Sequence, residues 1–174
     1  MNNFSKSVTG IALALAATSS LAGSLGDDSS DTTKVTLEVT DKVQISNISD
    51  IPLGAYNGTD ATLAGGTSYC VFRNGGDDYR LKLTTDQAGG FEVKSPTTGD
   101  TIDFTAKVDT DADASDGTDI THDSFSGNMA GSDKTDCDGT NNGSLHVTFQ
   151  QADLLAASSE DDYQAIVTVF VEPI

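Results

Sequence analysis

The feature that most constrains this chain is a two-residue alternation of apolar and polar side chains. It recurs in short stretches separated by Gly, Asn and Asp. Val35, Leu37 and Val39 share one parity, with Lys34, Thr36, Glu38 and Thr40 on the other, and Val43 and Ile45 continue it. Tyr79, Leu81 and Leu83 alternate with Arg80, Lys82 and Thr84. Ile102, Phe104, Ala106 and Val108 form a third series, and Leu145, Val147 and Phe149 a fourth. A period of two places one side of a strand on a core. Residues 68–73 read as a further strand ending at the turn 74–77, and Phe91 and Val93 as another after the break at Gly89-Gly90. Residues 163–171 are almost continuously apolar, as expected of a strand that is central in a sheet or covered on both faces. No window has a helical period, and residues 151–157 could form one turn at most. Many short strands with such turns imply an all-β sandwich. Residues 109–143, rich in Asp, Ser, Gly and Thr, read as a long surface excursion between two strands.

The first 22 residues have a different character. Lys6 precedes an apolar run over residues 8–17, and Ser20-Leu21-Ala22 places small residues before Gly23. This is the pattern of a secretory signal peptide. The run is about half the roughly twenty apolar residues that span a bilayer, so no membrane span is expected in the mature chain. Residues 23–33 then read as a flexible acidic lead-in. The chain has 9 Lys+Arg and 27 Asp+Glu, a net charge of −18. Loss of Lys6 with the leader makes it −19. A surface so acidic repels phosphate backbones and anionic membranes, which excludes a nucleic-acid partner. Export also favours a disulfide between the two cysteines, Cys70 and Cys137, for which one internal pairing exists.

Catalytic and ligand chemistry finds less support. Asp109, Asp111, Asp113, Asp116, Asp119 and Asp123 crowd into fifteen positions, and hard oxygen ligands at that density raise calcium. An EF-hand register fails. Counted from Asp109, the glycine position holds Ala114 and the bidentate position Ile120. The first four of these carboxylates remain weak calcium candidates beside the plainer reading of a solvated acidic loop. His122 falls in that polar stretch. His146 alternates with Leu145 and Val147 and should face outward. No glycine pattern frames a serine as a nucleophile elbow, and no glycine-rich phosphate loop leads into a helix. The sequence therefore implies no enzyme, no cofactor and no committed metal site. Asn47, Asn57 and Asn142 open three N-glycosylation triplets, which matter only in a glycosylating host.

Several segments together carry a family resemblance. The stretch Ile45-Ser46-Asn47-Ile48-Ser49-Asp50-Ile51-Pro52-Leu53-Gly54-Ala55-Tyr56 resembles the early part of spore coat protein U-like domains, the subunits of archaic, Csu-type chaperone-usher pili. Residues 69–75 with 79–83 are similar to that family's Cys-containing strand and the next one. Residues 137–147, 152–157 and 163–173 resemble its later Cys, its Asn-rich turn and its last segment. The sequence departs from the pattern at Val43, where many relatives carry a Cys, and at Leu53, which replaces the common Phe. The resemblance implies an incomplete immunoglobulin-like β-sandwich that lacks its last strand. It divides the protein into a signal peptide (1–22), an N-terminal extension with a donor strand (23–42) and a pilin-like domain (43–174). Val35, Leu37 and Val39 would fill a neighbour's groove beside the acceptor strand bearing Tyr163, Ala165, Val167, Val169 and Val171. The implied partners are identical or sibling pilin subunits, a periplasmic chaperone and an outer-membrane usher, with export through the periplasm to a cell-surface pilus serving adhesion or biofilm formation. The residues themselves leave a second reading of Val35, Leu37 and Val39 open, as the first strand of the protein's own sandwich. They also leave open a second function, a monomeric secreted module binding calcium or a glycan through residues 109–123.

Overall fold

A computed structural model describes residues 32–158 and 162–174. The signal-peptide reading, and the lead-in up to residue 31, lie outside the described residues. The protein falls into two units, Met1–Glu38 and Val39–Ile174. In the first, described residues 32–38 form neither strand nor helix, and Val35 and Leu37 are both 87% exposed. In the second, Val39 is likewise outside any strand and 72% exposed. The alternation from Val35 through Ile45, read as one strand or two consecutive strands, is corrected in its first part: among the described residues regular structure begins at Val43. Alternation supplies one apolar side, but a strand also needs a neighbour for its backbone groups.

The second unit is an all-β sandwich. Its strands are β1 (Val43–Ser46), β2 (Thr62–Arg73), β3 (Asp78–Thr85), β4 (Glu92–Lys94), β5 (Thr101–Asp103), β6 (Thr105–Asp109), β7 (Thr118–Ile120), β8 (Met129–Ala130), β9 (Gly143–Gln150) and β10 (Val167–Pro173), with a short helix α1 (Gln151–Ala156) after β9. One sheet has the order β1-β2-β9-β6-β7, a second β10-β3-β8, and β4-β5 form a small ribbon. Pairing within the sheets is antiparallel throughout. The alternating series of β3, β5–β6 and β9 send their apolar parity inward. Tyr79, Leu81 and Leu83 of β3 are fully buried, and Ile102, Phe104, Ala106, Val108, Leu145, Val147 and Phe149 join them in one core. Phe104 stacks on Phe91 and tilts against Phe149, with ring centroids 5.4 and 5.3 Å apart.

Two adjacent glycines in β2 let other segments approach it closely from opposite sides. A Cβ at Gly65 would lie 2.6 Å from Leu53 Cδ2, and one at Gly66 2.5 Å from the carbonyl oxygen of Ala114. The second contact belongs to the stretch expected to be a surface excursion. That expectation holds only in part. Residues 109–143 contain β7, β8 and a 3-10 turn at Cys137–Gly139, and they bury Ile120, Met129 and Cys137. Spaced single apolar residues, rather than a period, bring the segment back to the sandwich. Cys137 forms a disulfide with Cys70 of β2. Asn142 adds a second tie, because its side chain both accepts from Val71 N (2.8 Å) and donates to Val71 O (3.0 Å).

Candidate functional site

The sandwich has an open edge in each large sheet. β10 pairs with β3 from Val167↔Thr85 to Pro173↔Tyr79, and among the described residues no strand pairs with its other edge. This corrects the expectation of a central strand: β10 lies at the sheet margin, and residues 163–166 before it join the ribbon only through the bridge Lys94↔Gln164. Its two faces differ. Val167, Val169 and Val171 pack partly buried against the core with Tyr163, and Ala165 is also half-buried. Ile166 is 68% and Phe170 48% exposed. The nearly continuous apolar composition therefore covers two surfaces, one half-covered and one facing solvent.

β1 ends the five-stranded sheet and, among the described residues, pairs only with β2. Val43 and Ile45 are half-buried, as are Ile51 and Leu53 further along. That later stretch leaves the ladder at Asn47, which has a φ of 64°, and is held to β2 through Ser49 N–H donating to Thr67 Oγ1 at 3.2 Å. On β3, the neighbour of β10 in the other sheet, Leu81 and Leu83 are wholly buried. The apolar strips on the two margins thus stay half-covered beside a closed interior.

Both ends of this region are defined. At one, the Arg73 side chain, 3% exposed, gathers three segments. It donates to Asp78 O and to Ile174 O (2.6 Å) and pairs with Asp41 Oδ2 (3.2 Å). At the other lies a cavity of about 850 Å³ lined by Leu53, Leu63, Val93, Phe149, Leu154 and Tyr163, among others. The arrangement suits an extended segment. Free backbone groups on a margin offer a ladder, and half-covered side chains at alternate positions offer apolar contacts.

The solvent face of β3 and β10 carries a feature with little sequence signal. Arg80 lies 4.2 Å over the Phe125 ring, and Phe125 meets Phe170 edge-on at 6.2 Å. Arg80 also pairs with Glu172, and Lys82 with Asp123 at 2.7 Å. The hydrogen bond and charge of Lys82 hold the Asp123 carboxyl below its ordinary range. Alternation predicted that Arg80 and Lys82 face outward; Phe125, which bridges to Lys82 from a segment remote in sequence, had no pattern to mark it.

The acidic residues do not converge. Asp109 Oδ1 accepts from Thr110 N (2.6 Å) and Asp111 Oδ1 from Asp113 N (2.8 Å). Asp113 Oδ1 accepts from Ser115 Oγ (2.6 Å) and N (3.0 Å), which lowers its pKa. Asp116 is exposed. Among the described residues no group of three or more His, Cys, Asp or Glu is placed to hold a metal ion. The two histidines are separate. His122 Nε2 accepts the Thr85 N–H at 3.1 Å and meets Phe91 edge-on, while His146 lies on β9 opposite Gly66. No described helix is long and apolar enough to cross a membrane.

Neither a protein-family model nor a curated protein sequence matches this protein. Among solved structures it is similar to one from the chaperone–tip adhesin complex of CFA/I fimbriae, at 14% identity and a TM-score of 0.50. The alignment covers 76% of this protein and 42% of that one, so this protein spans less than half of its neighbour's length. At that identity the likeness is one of fold: an all-β sandwich of a kind found in a fimbrial assembly.

Proposed function

We propose that this protein is an exported structural subunit of a bacterial surface pilus, assembled head to tail by donor-strand exchange. The observation that carries the reading is the edge of β10 away from β3, which no strand pairs with among the described residues; Val167, Val169 and Val171 on β10, and Tyr163 and Ala165 just before it, are half-buried. Val35, Leu37 and Val39 are the complementary feature. They alternate, are apolar and exposed, and belong to no sheet of the sandwich. In this reading the N-terminal extension of one subunit pairs with β10 of the next, and its three side chains enter the half-covered strip. A heterologous contact of this kind does not close on itself, so it builds a fibre. The CFA/I likeness supports the fold that the reading requires.

The remaining parts follow from the same requirement. An exposed apolar edge is an aggregation hazard until it is filled. A periplasmic chaperone would cover it before assembly, and an outer-membrane usher would pass the subunit to the cell surface, where the fibre serves adhesion or biofilm formation. The role is structural rather than catalytic. The second reading, a monomeric calcium- or glycan-binding module, draws no support from the geometry of residues 109–123, where Asp109, Asp111 and Asp113 accept from nearby backbone N–H groups and Asp123 pairs with Lys82.

Cross-linking tests the donor role directly. In Leu37→Cys and Val169→Cys subunits mixed under oxidising conditions, an intermolecular disulfide should form between the two variants and a ladder of adducts should follow in the double variant. Monomers alone, with the native Cys70–Cys137 bond intact, would remove the reading.

A further inference from the structure

We propose that Asn74, backed by Arg73, is a positioning residue that fixes where the N-terminal segment leaves the sandwich, holding residues 40–42 on the body and releasing the segment at Val39. The side chain of Asn74 acts as a short piece of strand. Its Oδ1 accepts the Lys42 N–H at 2.6 Å, and its Nδ2 donates to Thr40 O at 3.1 Å. Its own backbone N–H donates to Lys42 O at 3.2 Å. The neighbouring Arg73 takes Asp41 Oδ2 at 3.2 Å. Residues 40, 41 and 42 are thus each held by the pair 73–74, immediately before β1 begins at Val43. The amide is suited to this because it carries one acceptor and one donor group in a fixed plane, matching a backbone carbonyl and a backbone N–H two residues apart. Arg73 couples the same point to the end of β10, since its guanidinium also holds Ile174 O. The clamp therefore holds residues 40–42 at the Arg73 end of the sandwich, away from the cavity beside Tyr163.

The clamp stands on geometry alone; its use, to keep the segment up to Val39 free for a neighbour, rests on the donor-strand reading. Hydrogen exchange on the full-length protein tests the first part. In Asn74→Ala the Lys42 amide should exchange roughly tenfold faster, while the β2–β9 amides keep their rates. In Asn74→Asp the carboxylate still accepts from Lys42 N–H but cannot donate, so Lys42 should stay protected while the Thr40 carbonyl carbon resonance shifts. Unchanged Lys42 exchange in Asn74→Ala, or an unmoved Thr40 carbonyl in Asn74→Asp, would overturn the clamp. Assembly tests the second part. Polymer yield should fall several-fold in both variants. Full assembly by a variant whose clamp has opened would overturn the positioning role. A wild-type protein that never polymerises would instead remove the donor reading and leave the clamp standing.

Discussion

Tyr69 and Tyr79 show how much one buried group can decide. Both rings are fully buried, and neither hydroxyl has a hydrogen-bond partner among the described residues. Burial pushes both phenols above their ordinary value of 10.0, with the neighbouring Tyr79 and Asp109 adding to the effect at Tyr69. An acid whose pKa is raised by folding stabilises the native state below its unfolded pKa, and that contribution is lost as pH rises above it. Stability should therefore fall above about pH 10, because unfolding lets the phenols ionise. Urea titrations of wild type and Tyr69→Phe at pH 7 and pH 10.5 check this. At pH 7 the substitution should change stability by no more than about 1 kcal/mol, since it removes an unpaired polar atom and little volume. The alkaline loss should be smaller in the variant than in wild type. A penalty above about 2 kcal/mol at pH 7 would mean that the hydroxyl has a partner.

β3 and β10 have similar apolar alternation but stand in different places, and this separates stability from assembly. Leu83 of β3 is fully buried, whereas its register partner Val169 of β10 is half-covered. Leu83→Ala should cost about 2–5 kcal/mol. Val167→Asp, two residues along on the same half-covered side, should cost less, about 1–2 kcal/mol, yet abolish the cross-links between the Leu37→Cys and Val169→Cys positions. Denaturant midpoints and cross-linking yields, measured on the same variants, check both. The disulfide is an element-scale tie of another kind. It joins β2 to the 3-10 turn across 67 residues, so replacing both cysteines by Ala should lower stability by about 4 kcal/mol in the chain-entropy account. A loss near zero would show that Asn142 and the buried Met129 hold the excursion without the bond. These elements also mark the limit of what was legible beforehand. The inward parity of β3, β6 and β9 could be read from alternation, because a period of two survives any arrangement of the sheets. The edge position of β10 could not, because pairing partners are long-range. β7 and β8 were missed because strands of three and two residues are too short to show a period. The Phe125–Arg80 contact and the cleft end at Arg73 depend on segments brought together only by folding.

At the scale of the whole molecule, charge opposes association. A formal charge of −18 on 174 residues makes copies of the protein repel one another, and in the donor-strand reading the apolar contacts of the inserted strand must exceed that repulsion. The balance depends on salt, since the screening length falls from about 30 Å at 0.01 M to about 10 Å at 0.1 M ionic strength. Burial of apolar side chains from water carries no comparable salt sensitivity at these concentrations. Self-association should therefore strengthen as sodium chloride rises from 10 to about 150 mM, with faster growth rather than a change in contact. The architecture constrains the products as well. In the donor-strand reading the donor and acceptor are different segments of the sequence, so each added subunit would present a fresh edge of β10. Sedimentation velocity should show a broad series of sizes that lengthens with protein concentration. A single sharp dimer at every concentration would mean a self-complementary interface, such as two β10 edges paired antiparallel. Leu37→Asp discriminates between the two. It should leave an edge-to-edge dimer intact but stop the open series at the monomer, because it places a charge in the strip beside Val167 and Val169 while leaving the β10 edge unaltered.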